Sequence, residues 1–160
     1  MKPRYAIDGS WFKGNTHLHS TASDGGKTVA ELSAMYGQAG YDFLCLTDHW
    51  VLSDVSQIQN GGGPLWLDGV ELHGQDERGA MYHVVCLGRL EGITREMGFP
   101  AALRAARAQG AMLILAHPFW MGNSFADAVQ WDFDGLEIYN HVCHWLNGKG
   151  DAHAYWHAML

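Results

Sequence analysis

Short apolar runs that finish in or carry a histidine or an acid constrain this chain more than any other feature. They are Asp42–Thr47 (DFLCLT), Leu65–Leu72, Met81–Leu87 and Ala111–Ala116 (AMLILA). Continuous apolar runs of this length read as strands buried on both faces, as in parallel sheets covered by helices. Helical signals lie between them. Thr28-Val29-Ala30-Glu31 is a capping box, with Thr28 at the N-cap and Glu31 at N3. Its helix is expected to run through Leu32, Met35 and Ala39 and to stop at Gly40. Pro100–Gln109 has proline in its first turn and Gly110 behind its end, the usual asymmetry of a helix. Strands alternating with helices predict parallel β-α units. Ionisable residues at successive strand tips are the arrangement found at the mouth of a (β/α) barrel.

The remaining segments fit around these. Trp11–His19 reads as the first strand, Gly135–Tyr139 (GLEIY) as the sixth, Phe125–Trp131 as a short helix, and Asp151–Leu160 as helical. Met1–Ser10 shows no pattern, and Gln75–Gly79 reads as a turn. Ser53–Pro64 is a polar connection that lacks the G-K-[ST] of a phosphate-cradling loop. Pro118 disfavours helix at His117, which predicts that histidine in an extended conformation at its strand tip.

The 160 residues suggest one domain, and 48% hydrophobic composition supplies its core. Acids outnumber Lys plus Arg by 17 to 10, which argues against a general nucleic-acid or anionic-membrane surface. Clustered acids can instead be neutralised by divalent cations. Cys45, Cys86 and Cys143 form no C-x-x-C pair, and Cys45 and Cys86 sit in apolar runs as expected packing residues. With no long apolar span and no leader pattern, the reading is a soluble, cytoplasmic chain.

The chemistry lies in ten histidines, several at positions that folding alone would not ask for. His17 and His19 are two apart in an extended segment, so both rings face one way and can reach one ion. Asp24 follows on a loop of small residues that can fold back toward them. Asp48-His49, Glu71, His83 and His117 each sit at or near the end of a strand. Gathering so many ionisable groups at one end of a fold costs free energy unless they are paired or coordinated, and a metal cluster is the simplest solution.

The segments NTHLHSTASDG, LTDH, GVELHG, MYHVVCLG and LAHP, with GLEIYN behind them, resemble in order the PHP (polymerase and histidinol phosphatase) superfamily of metal-dependent phosphoesterases. The resemblance spans residues 14 to about 150. It implies an α/β fold, a distorted (β/α)7 TIM-like barrel, with two or three divalent ions (Zn, Mn or Fe) at its C-terminal face. By analogy His17 and His19 bind one metal, and Glu71 bridges it to a second completed by His83 and His117. Asp24 and His49 hold the third. Asp48 stands behind the ligands and orients one imidazole through its other nitrogen, and Glu137 and Asn140 lie at the pocket rim.

The sequence departs from that pattern at its end, where the family closes the cluster with an Asp-x-His strand. Asp151-Ala152-His153 has the letters but follows a Gly-Lys-Gly loop and runs into a helical pattern. The expectation is therefore a single PHP-like domain over 1–160 that lacks its last β-α unit, unless a second copy or a further segment completes the site. His73, His141, His144 and His157 have no counterpart in the family and read as surface or rim residues. The chemistry expected is hydrolysis of a small phosphomonoester or phosphodiester by metal-bound hydroxide. No G-x-S-x-G elbow offers a serine nucleophile. An amidohydrolase or esterase on a similar barrel, or an inactive metal-binding fragment, are the alternatives.

Overall fold

The computed structural model describes residues 9–58 and 62–159. Met1–Asp8 of the patternless lead-in, Gln59–Gly61 of the polar connection, and Leu160 lie outside the described residues. Six strands form one sheet in chain order: β1 (Gly14–Asn15), β2 (Phe43–Leu46), β3 (Leu65–Gln75), β4 (Met81–Leu87), β5 (Met112–Leu115) and β6 (Gly135–Leu136). The helices are α1 (Val29–Gln38), α2 (Phe99–Ala108), α3 (Pro118–Met121), α4 (Phe125–Ala128), α5 (His141–Asn147) and α6 (His153–Met159).

The fold is α/β, but the expected distorted (β/α)7 barrel is not what forms. Six strands make a mixed half-barrel, in which β1, β2 and β3 pair in parallel, β4 is antiparallel to both β3 and β5, and β5 and β6 are parallel. The cause is the connection between β3 and β4. A parallel crossover needs a dozen or more residues, whereas Asp76–Ala80 is a tight turn. The Asp76 carboxylate accepts from the Arg78 and Ala80 N–H groups, both at 2.9 Å. Gly79 sits at φ 84°, where a side chain would be strained.

Alternation along the strands gives the sheet two different faces. Val70, Leu72, Tyr82, Val84, Cys86, Leu113 and Leu115 are buried in one apolar cluster with Phe99, Ala102, Leu103 and Ala106 of α2. Full burial of each large side chain in it contributes roughly 1.5–3 kcal/mol. Glu71, His73, His83 and Val85 occupy the intervening positions and face the other way. α1 covers a smaller cluster of Leu18, Leu32, Leu44, Leu46 and Trp66. Its capping box forms as expected: Thr28 Oγ1 accepts from Glu31 N, and Glu31 Oε2 accepts from Thr28 N at 2.8 Å.

Other segments differ from the sequence reading. The first strand contracts from Trp11–His19 to Gly14–Asn15, the sixth from Gly135–Tyr139 to Gly135–Leu136, and the helix from Phe125–Trp131 to Phe125–Ala128. α5 was not expected. It begins where the Asn140 side chain accepts from Cys143 N at 2.9 Å. β1 and β6 each pair on one side only, and the sheet curls until the residues just beyond them meet, His17 Nδ1 lying 3.2 Å from Glu137 Oε1. Beneath that contact is a cavity of about 180 Å³ walled by Thr16, Val85, Ile114 and Leu136. All three cysteines are buried and unpaired. Among the described residues, no helix is long and apolar enough to cross a membrane.

Candidate metal centre

Strand direction and register bring the histidines together. His49 forms a parallel bridge with Glu71, three residues beyond the last ladder pair of β2 and β3. β4 runs the opposite way, so its first residues lie level with the tips of its neighbours, and His83 pairs directly with His73. The β4–β5 ladder ends at Val84↔Leu115, which leaves His117 just past the rim.

Glu71 is the centre. Its side chain is fully buried, and five imidazoles surround it: His17 Nε2 at 3.1 Å, His19 Nε2 at 2.8 Å, His49 Nδ1 at 3.3 Å, His83 Nδ1 at 2.8 Å and His117 Nε2 at 3.4 Å. Burial would raise the Glu71 carboxyl, but the surrounding imidazoles outweigh it and hold the group far below the ordinary carboxylate range. Burial likewise opposes charge on His17, yet its hydrogen bonds to Glu137 and Glu71 push its pKa up to about 10. His19 is raised for the same reason, with Glu71 its main partner. His49 is lowered by its burial. Asp24, the most exposed member, accepts from His19 Nδ1 at 2.7 Å and lies 3.7 Å from His49 Nε2. Burial would raise the Asp24 carboxyl, but its hydrogen bond with His19 outweighs this and lowers it.

The seven residues His17, His19, Asp24, His49, Glu71, His83 and His117 therefore meet in one place. Their ligand atoms sort into His17–His19–Glu71, His49–Glu71–His83 and His19–Asp24–His49, each set within 4.8 Å. A fourth set joins His17 and His117 to Glu137. The donor set fits divalent cations. Imidazole and carboxylate are ligands for Zn, Mn or Fe. His117 Nδ1 is buried without a hydrogen-bond partner among the described residues, and His19 Nε2 is buried against the Glu71 carboxylate, 2.8 Å away. A buried ring nitrogen left without a partner is costly unless something coordinates it.

The supports differ in part from the sequence reading. Asp48 was expected to orient an imidazole. Instead it is buried beneath the Ser20–Asp24 loop and accepts from Ser20 N, Ser20 Oγ and Ser23 Oγ at 2.6–2.8 Å. It acts on the site by fixing the loop that carries Asp24. Gly25 completes the loop, since a Cβ there would lie 2.2 Å from the His19 carbonyl oxygen. His117 is not extended: it caps α3 with φ 29° and ψ 56°. Pro118 does exclude right-handed helix there, but the chain turns sharply instead, a costly conformation held by the Glu137 carboxylate accepting from His117 N at 2.8 Å.

Glu137, expected at the rim, thus serves two histidines of the cluster, His17 and His117. It is itself held by Asn140 Nδ2 at 3.0 Å, and His17 outweighs burial to lower its carboxyl. His73 was expected at the surface or rim. It stacks on His83 with ring centres 5.1 Å apart, and its Nδ1 lies 3.0 Å from His49 Nδ1. Burial lowers its pKa to about 4, assisted by the neighbouring His49 and by the Arg95 guanidinium. The signal for it was the i, i+2 spacing from Glu71, the same alternation that singled out His17 and His19. Asp151 and His153 pair with each other at 2.7 Å on the surface and do not reach the cluster. His141, His144 and His157 are exposed. No family model matches the chain, and no curated protein matches it.

Proposed function

We propose that this cluster binds two or three divalent cations and hydrolyses a small phosphomonoester or phosphodiester. The observation that carries the reading is a fully buried carboxylate, Glu71, with five imidazole nitrogens within 3.4 Å of it. Five imidazoles crowd the two oxygens of one buried carboxylate, whereas a shared cation uses neutral rings as ligands. The motif order that resembles the PHP superfamily supports the same chemistry.

In this reading Glu71, Asp24 and the imidazoles of His17, His19, His49, His83 and His117 would hold the cations. The cations would contribute Lewis acidity and a water ionisable near neutral pH. The chain does the rest. Glu137 holds His17 and the His117 backbone in place, and Asp48 fixes the loop bearing Asp24.

The test is metal content per chain for protein purified without chelator, with aryl-phosphate and aryl-acetamide turnover measured on the same sample. Two or more equivalents with phosphate turnover, both lost in His17→Ala, is the expected result. Less than one equivalent, or cleavage of the acetamide alone, overturns the reading.

A further inference from the structure

Arg95 begins the short 3-10 turn Arg95–Met97 between β4 and α2, pinned by buried Ile93 on one side and buried Phe99 on the other. Its Nη2 donates to His73 Nε2 at 3.0 Å, and its guanidinium lies 5.8 Å from the centre of the Trp50 ring. Trp50 and His73 meet edge to face at 6.0 Å. Arg78, Arg89, Arg104 and Arg107 each pair with a carboxylate at 2.7–3.8 Å, and among the described residues Arg95 has no such partner. Its charge therefore stands beside the candidate site with no paired carboxylate, the adjacent Glu96 acting on it only at longer range, in a chain with net charge −7.

A guanidinium offers five N–H donors in one plane, suited to bidentate capture of phosphate or carboxylate. One of them is used on His73, and the imidazole it meets brings no negative charge. The Trp50 indole, packed partly against the apolar cluster of the sheet, backs the guanidinium, and its Nε1 is buried without a partner among the described residues. Trp50 is also held at φ 56°, with its N–H donating to the Glu71 carbonyl at 3.1 Å. A strained residue fixed beside an unpaired cation is a feature of ligand clamps.

We propose that Arg95, braced by His73 and Trp50, is the docking point for a second anionic group of the substrate. The compound taken by the site then carries two negative groups, one at the Glu71 cluster and one, a phosphate or carboxylate, at Arg95. His73 stands between Arg95 and the imidazoles around Glu71, so the two positions address different ends of one molecule. The inference rests on the phosphoesterase reading and adds the substrate class.

Calorimetric titration of the metal-loaded protein with an alkyl phosphonate, an alkane bisphosphonate and a phosphonocarboxylate of equal chain length tests it without turnover. The wild type should bind the bisphosphonate or the phosphonocarboxylate at least about tenfold more tightly than the monophosphonate, whichever oxyanion Arg95 prefers. The affinities should converge in Arg95→Gln and separate in part in Arg95→Lys, which keeps the charge but not the fork. Equal affinities in the wild type, or an undiminished preference in Arg95→Gln, overturn the proposal. Loss of metal from Arg95→Gln also overturns it, by making Arg95 a brace for the cluster. Aryl-phosphate turnover on the same samples separates the two readings. Preference without turnover removes the phosphoesterase reading alone, and turnover without preference removes this one alone.

Discussion

Replacing Glu71 with glutamine in the metal-free protein isolates the charge at the centre of the cluster. The amide keeps the shape of the side chain and removes the anion that faces His17 at 3.1 Å and His19 at 2.8 Å. His17, with its pKa raised to about 10, is charged at neutral pH, so the substitution leaves a buried cation short of a partner. Breaking a buried pair on one side costs about 3–5 kcal/mol. The lower figure applies here, because Glu137 remains 3.2 Å from His17. At roughly 2–4 °C per kcal/mol for a chain of this size, Tm should fall by about 6–12 °C. The assay is thermal unfolding in chelator, followed by circular dichroism at pH 6. The pH dependence carries a sign. Glu71 is depressed below its ordinary 4.5, so its contribution exists above that pH and is lost on acidification. His17 is raised above its ordinary 6.5, so its contribution is complete below that pH and is lost as pH climbs toward about 10. The wild-type advantage should therefore be greatest between those two ordinary values and fade on either side. A Tm change under about 2 °C, or a gain, would refute the reasoning, since desolvation of the carboxylate would then outweigh its pairing.

Two further outcomes follow from the same geometry. Cation binding near pH 7 should release at least one proton, from His17, because a liganding imidazole must be neutral. Calorimetry in buffers of different ionisation enthalpy reads that release, and heats independent of buffer would contradict it. Glu137→Gln should weaken metal affinity by about 10–100-fold by removing the charged partner of His17, as measured by competition with a chromophoric chelator. An unchanged affinity would show that His17 is oriented without it.

The strands were legible where side chains alone decide them. Phe43–Leu46 and Met112–Leu115 are too apolar and too short for anything but buried strands, and Met81–Leu87 forms at the expected bounds. The convergence of ionisable groups was legible as well, because each stood at or near a strand end. Direction was misread. A turn was visible at Gln75–Gly79, yet a connection that short forces an antiparallel return, and the alternation of elements drew the reading toward a parallel barrel. Glu137 illustrates a different limit. Its roles depend on His17 and on the backbone N–H of His117, and nothing local to GLEIY encodes either. The conformation of His117 is set in the same way, by a tertiary hydrogen bond that overrides the bias toward extended structure before proline.

Chain separation divides the centre into parts of different kinds. Glu71 and His83 lie 12 residues apart on one hairpin, whereas His17 and Glu137 lie 120 apart at opposite margins of the sheet. Loop-closure entropy grows with the logarithm of that separation, so the second contact costs about 2 kcal/mol more to bring together than the first. The hairpin holds Glu71 and His83, two of the seven clustered residues, as a local unit. The His17–Glu137 contact is instead a clasp between the two free margins of an open sheet, and a cation held by His17 would fasten it. In this half-barrel the ion would do mechanically what a closing strand does elsewhere.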